Sequence, residues 1–107
     1  MIALKEDQVL ILVNQLSEME KKMNLKSDSS LQRSFQRIKT LLSDAGIVYS
    51  IPMGEAFNET RTDCEASIAG DSINQLQITE VIKPIVWRKE GSSLSLIQKG
   101  IVIVSGK

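Results

Sequence analysis

Apolar positions change period once along this chain, near residue 46, and the change divides a helical part from a β part. Val9, Leu12, Val13, Leu16, Met19 and Met23 recur at short helical intervals, with Leu10 and Ile11 widening the stripe. This spacing puts one apolar stripe on one side of a helix over residues 6–23. Glu6 and Asp7 fall in its first turn and Lys21 and Lys22 in its last, both placements favoured by the helix dipole. A second stripe, Leu31, Phe35, Ile38, Leu41, Leu42 and Ala45, predicts a second helix. Ser29 stands before it and Gln32 three residues later, the spacing of a capping box. Gly46 follows the last stripe residue, where helices commonly end at positive φ. The polar stretch 24–28 joins the two, and helices so joined tend to pack antiparallel.

Residues 47–51 (Ile-Val-Tyr-Ser-Ile) are β-type, and Pro52-Met53-Gly54 breaks the run. A polar loop, 58–63, has no apolar anchor. Residues 64–69 form a possible short strand closed by Gly70-Asp71-Ser72; Leu76 and Ile78 alternate with polar residues, and Val81-Ile82 continues that strand. Pro84 cannot donate to a ladder and marks a break before Ile85-Val86-Trp87. Lys89 to Ser93 reads as a turn. Residues 94–97 and 100–105 end the chain, the latter apolar on both faces and therefore central.

The fold class is α+β: a two-helix hairpin over 1–45, then a small β domain of about six short strands over 46–107, as a sheet or small barrel. A lone hairpin covers both stripes poorly. Two copies paired as a four-helix bundle would cover them through Val9, Leu12, Leu16, Met19, Leu31, Phe35, Ile38 and Leu42; the alternative is that the β sheet does so.

Composition narrows the function. With 13 basic and 13 acidic residues the formal charge is zero, so no positive field is available for nucleic acid. No His is present, which excludes imidazole chemistry and nearly all zinc sites. The single Cys64 cannot form an internal disulfide and suits a reducing compartment. The N-terminus lacks the basic-then-apolar order of a signal peptide, and no apolar run approaches the ~20 residues of a membrane span. A cytoplasmic, soluble protein is the expectation.

No enzyme is expected. Cys64 has acidic neighbours, Asp63 and Glu65, which raise a thiol pKa. Glu55, Glu59, Asp63 and Glu65 read as solvated loop carboxylates without calcium-loop spacing. Gly91-Ser92-Ser93 lacks the lysine of a phosphate loop. Neither a metal nor a cofactor is expected. Binding remains. Arg33 and Arg37, one turn apart, are either a solvated face or a contact for an acidic surface. Trp87 is either core or an interface anchor, and Met53 and Phe57, flanking Gly54, carry the same two readings.

Ala45-Gly46-Ile47, then Gly54-Glu55-Ala56-Phe57-Asn58, then Cys64-Glu65-Ala66 resemble the motifs of the GrpE family, continuing into Ile78-Thr79-Glu80-Val81-Ile82 and the terminal strand Ile101 to Val104. GrpE proteins are dimeric exchange factors for DnaK-type chaperones. The resemblance implies a homodimeric helical bundle and a β domain that binds the chaperone's ATPase domain and promotes ADP release. It marks Phe57, Ile82 and Val104 as contacts. The chain departs from the family at Asn58-Glu59 (Asp-Pro), at Cys64 (His) and at Lys83-Pro84 (near a Gly-Tyr pair). About two residues are inserted after Phe57, and the long N-terminal helix pair is not seen. Gln98 and Lys99 stand where an arginine is expected, which leaves a second reading: an adaptor that keeps the dimer fold without exchange.

Overall fold

Two helices and then six strands follow in the order α1 (Glu6–Lys22), α2 (Ser29–Asp44), β1 (Ile47–Ser50), β2 (Cys64–Ala69), β3 (Gln77–Lys83), β4 (Ile85–Glu90), β5 (Ser93–Gln98) and β6 (Gly100–Ser105). This computed structural model describes residues 2–23 and 28–106; most of the expected helix connection, 24–27, lies outside them. The strands form two three-stranded sheets rather than a single sheet or a barrel. In the first, β1-β4-β5, all pairs are antiparallel; in the second, β2-β6-β3, β2 runs parallel to β6. The doubly apolar β6 is the central strand of its sheet, as its composition predicts.

Asp28, not Ser29, caps α2. Its carboxylate accepts the Ser30 and Leu31 backbone N–H groups at 3.0 and 3.1 Å. A carboxylate there also complements the positive end of the helix dipole, which a neutral hydroxyl does not. At the other end Gly46 adopts φ 93°, a conformation that side chains oppose. Its carbonyl accepts the Lys89 N–H at 2.8 Å, so the helix stop leads directly into β1–β4 pairing.

The chain passes between the sheets three times, once through residues 51–63 between β1 and β2 and twice through a single residue: Pro84 between β3 and β4, and Lys99 between β5 and β6. Proline has no N–H to continue a ladder, so pairing ends there and the chain can turn into the other sheet. Between the sheets lie Cys64, Ile78, Val81, Ile85, Val102 and Val104, all buried. Side chains alternate along β4. Ile85 and Trp87 face this core, while Arg88, on the other face, donates to the Glu6 carboxylate of α1 at 2.9 Å.

α1 is tied along its length to the strands. Asn14 and Gln98 exchange amide hydrogen bonds at 2.8 and 3.2 Å, and the Lys21 amine donates to the Val81 carbonyl. Glu20 accepts from the Tyr49 hydroxyl at 2.9 Å and from Lys39 at 3.0 Å, joining α1, α2 and β1. Val13 and Ser17 are fully buried on α1. The first stripe is therefore split: Val9, Leu16 and Met23 are half-buried, but Leu12 and Met19 remain exposed. On α2 Phe35 is buried, Leu31 and Leu42 are half-buried, and Ile38 and Leu41 are exposed.

The core is closely packed at the one-residue crossings. A Cβ on Gly100 would lie 2.8 Å from Ile85 Cγ1 and 3.2 Å from Cys64 Sγ. Gly100→Ala should therefore destabilise the fold by about 1–3 kcal/mol through overpacking, read as a lower urea midpoint. Gln98→Ala should cost about 1–3 kcal/mol by leaving half-buried amide and carbonyl groups unpaired. A cycle with Asn14→Ala should be non-additive; additive losses would mean that the amide pair is not a coupled unit.

Candidate interaction surface

Residues 54–57 form an extra edge on the second sheet. Gly54 N–H donates to the Ile78 carbonyl, Ile78 N–H to the Glu55 carbonyl and Phe57 N–H to the Leu76 carbonyl, each at 2.9 Å. The Gln77 side chain adds a bond to the Gly54 carbonyl at 2.9 Å. Gly54 takes φ 82°, which turns the chain into this corner after Pro52-Met53. Met53 is left exposed, whereas Phe57 is half-buried against the core.

Beside the corner opens a groove of about 850 Å³. Ala56, Phe57, Ile68, Ile73 and Leu76 supply its apolar lining, and Asn58, Glu59, Gln75 and Gln77 its polar one. Ile68 is 52% exposed and Ile73 73% exposed. Gln75 has φ 50°, an uncommon conformation for a residue with a Cβ. Ile68, Ile73 and Leu76 belong to no motif that marks them in the sequence as site residues. One signal was present: Ile73 is a lone apolar residue in a polar loop, with no periodic partner to bury it.

The loop 58–63 is anchored by charge. Arg61 donates to Asp63 at 2.7 Å, to Glu55 at 2.9 Å and to the Ala56 carbonyl at 3.2 Å. The hydrogen bond from Arg61 holds the Asp63 carboxyl below the usual carboxylate range, against the opposing effect of burial. Asn58 accepts from the Thr60 N–H at 3.0 Å, closing a local turn. Burial first, and then the neighbouring Asp63 charge, push the Cys64 thiol up to about 11, so little thiolate exists at neutral pH. Among the described residues no group of three or more Cys, Asp and Glu side chains could hold a metal ion.

The other expected contact residues are scattered. Val104 is fully buried between the sheets and offers no contact; its place opposite both Ile68 and Ile78 in the ladder makes it core packing. Ile82, at a bulge of β3, is exposed. Trp87 is half-buried at the core margin and pairs across the ladder with the exposed Leu96, with Leu94 exposed two residues on. Arg33 and Arg37 lie together on the open face of α2 beside Ser30 and Ser34. No site unites these residues. Phe57 and Met53 share the corner, Trp87 belongs to the first sheet, and the arginines belong to α2.

Among the described residues no helix is long and apolar enough to cross a membrane. No protein-family model, curated protein or solved structure matches the chain.

The raised thiol predicts an alkaline loss of stability. Cys64 ionises at 9.0 in its ordinary state and near 11 in the fold, so its contribution is complete below pH 9 and lost as pH rises towards 11. In thermal melts from pH 7 to 11 the melting temperature of wild type should fall more steeply above pH 9 than that of Cys64→Ala, which lacks the thiol. An unchanged alkaline limb in Cys64→Ala would assign the loss to other groups.

Proposed function

We propose that the chain is a GrpE-like co-chaperone of the cytoplasm, a homodimer whose β part binds the ATPase domain of a DnaK-type chaperone and promotes ADP release. The observation that carries it is the joint at the middle of the chain. A helix ends on Gly46, leads straight into β1, and is followed by a Gly54-Glu55-Ala56-Phe57 corner hydrogen-bonded to β3, in the order in which the resembling motifs occur. Met53 and Ile82 are exposed and Phe57 and Trp87 partly so, leaving apolar side chains available to a protein partner.

Shape supports pairing. A compact monomer of 11.9 kDa exposes about 5,950 Å², and this chain exposes 7420 Å². Its radius of gyration is 15.2 Å, where a compact domain of this length has about 13 Å. The excess surface, of order 1,500 Å², falls in the range of about 1,000–2,500 Å² per subunit that obligate homodimers bury. Ile11, Leu12 and Met19 on α1 and Ile38 and Leu41 on α2 are large apolar residues of the helical stripes that stay exposed.

One observation favours the second reading, an adaptor with the dimer fold and no exchange activity. Gln98, at the position where the family places an arginine, is turned inward onto Asn14 and the Pro84 carbonyl, and so is not free to meet a partner.

Exchange works by population shift: a factor that prefers the open chaperone weakens nucleotide reciprocally, typically by about 5–150-fold. Stopped-flow release of a fluorescent ADP from a DnaK-type ATPase domain should accelerate at saturating protein, and its equilibrium ADP affinity should fall within that range. Binding without acceleration assigns the adaptor function, and no binding rejects both. Sedimentation should give twice the chain mass, and Leu12→Glu with Leu41→Glu should return it to one; a wild-type monomer would remove the dimer from the proposal.

A further inference from the structure

The outer edges of the two sheets are β1 and β5 in the first, β2 and β3 in the second. Three of these edges are short, occupied or broken. β1 has only four residues, all half-buried. β3 is met by the 54–57 corner, which engages the Ile78 N–H and carbonyl, and by the Lys21 amine, which donates to the Val81 carbonyl. β5 carries a bulge: Leu96 lies opposite Trp87 and Gln98 opposite Val86, which leaves Ile97 unpaired. The edge at β2 is different. All six of its residues pair with β6 in unbroken register, and among the described residues no hydrogen bond beyond that ladder reaches its backbone. An open edge offers N–H and C=O groups in a row, a template for a further strand that proteins usually blunt with proline, lysine or a bulge. β2 has none of the three, and its one charge is Glu65. The backbone thus sets the shape of the occupant, an extended strand.

The side chains say which strand. They alternate along β2. Cys64, Ala66 and Ile68 lie on the core side, in turn buried, half-buried and exposed; Glu65, Ser67 and Ala69 lie on the other side, all exposed. A two-fold contact needs a surface complementary to itself, and β2 set antiparallel to its own copy about an axis at Ser67 meets that need. Ile68 then faces the partner's Ala66, large against small and apolar against apolar. Ser67 faces the partner's Ser67, and Glu65 faces the partner's Ala69. The two Glu65 residues stand four positions apart along the strands, about 14 Å, beyond the ~8 Å over which exposed charges act at physiological salt. The chain also exposes of order 1,500 Å² more than a compact monomer of its mass, surface that a second copy can cover.

We infer that β2 pairs antiparallel with β2 of a second copy about a two-fold axis at Ser67, joining two β2-β6-β3 sheets into one sheet of six strands. This goes beyond the chaperone reading, whose dimer uses the helices, and holds with or without it. Six residues a side cover less than a standard interface, so this is the weaker contact and grows with concentration.

Sedimentation of the full chain carrying Leu12→Glu and Leu41→Glu tests it apart from any helical pairing. The mass should rise from one chain towards two between micromolar and millimolar concentration. Ser67→Lys sets like charges face to face at the axis and should weaken this doubling at least tenfold. Its circular dichroism and melting temperature in dilute solution should be unchanged, because Ser67 is exposed. In the otherwise unaltered chain, Ser67→Cys should give a disulfide-linked dimer under mild oxidation, since directly opposite Cβ atoms lie ~4.5–5.5 Å apart; Glu65→Cys should not. A mass that stays at one chain would overturn the inference and leave the edge to a strand of another protein. Doubling that ignores Ser67→Lys, cross-linking at 65 equal to that at 67, or growth past two chains would each overturn it too.

Discussion

The Gln98 carboxamide sits where three parts of the chain have to meet. One neighbour is the crossing at Pro84, whose carbonyl accepts from Gln98 at 2.9 Å; another is the crossing at Lys99, the next residue; the third is α1, through Asn14. A carboxamide carries both donors and an acceptor, so it can donate to Pro84 and to Asn14 while accepting from Asn14. Arginine has no acceptor and leucine has neither group. The position that the GrpE resemblance gives to an arginine is here part of the internal frame. A charged fork in that place would leave the Asn14 amide half-satisfied at the helix–sheet boundary.

That frame decides what the helices can do. Asn14, Glu20 and Lys21 each hold α1 to a strand, and Val13 and Ser17 are buried on the same helix. Ser17 contributes little to this face, since its hydroxyl is buried with no partner among the described residues. Polar contacts and not only apolar ones therefore set the rotation of α1, and the apolar stripe is wider than the face they turn inward. Leu12 and Met19 are left outside as a consequence, and on α2 so are Ile38 and Leu41. Exposed apolar residues of this kind on a chain with excess surface have an energetic reason to find cover, at about 25 cal/mol per Å² buried.

Much of this was legible in the residues. The period change at Gly46, the centrality of 100–105, the break at Pro84 and the hairpin turn after Glu90 all depend on local chemistry, which a sequence carries openly. What escaped depends on distant partners. Nothing in the run Cys64 to Ala69 says that it pairs parallel with β6, because register and direction are set by what the rest of the chain leaves unpaired. Asp28 displaced Ser29 as the cap because both residue types favour that position and only the backbone path decides between them. Val104 matched a contact motif yet lies in the core, since a doubly apolar strand is central whatever its motif. The groove needed Phe57, Ile68, Ile73 and Leu76 to be brought together by three separate segments, and no spacing encodes that.

The two open apolar regions of the β part have a common origin in the crossings. Both one-residue crossings lie at the same end of the sheet pair, where Ile85, Gly100 and Cys64 touch. Burial falls away from that end along each sheet. On β2 it runs from buried Cys64 through half-buried Ala66 to exposed Ile68; on β4 from buried Ile85 through half-buried Trp87 to exposed Lys89; and on β5 from half-buried Ile97 to exposed Leu96 and Leu94. Val104 and its ladder partner Ile78 escape the trend: both stay buried at the far ends of β6 and β3, where Phe57 and Leu76 from the corner and its flank pack against the core. Two small twisted sheets joined tightly at one end must diverge at the other, because each strand pair rotates by ~20–25° relative to its neighbour. The inner faces thus open as they leave the crossings, and apolar residues in phase with the core emerge into solvent. The groove at Ile68 and the surface at Leu94 and Leu96 follow from the same geometry, and a change that drew the sheets together at their far ends would close both.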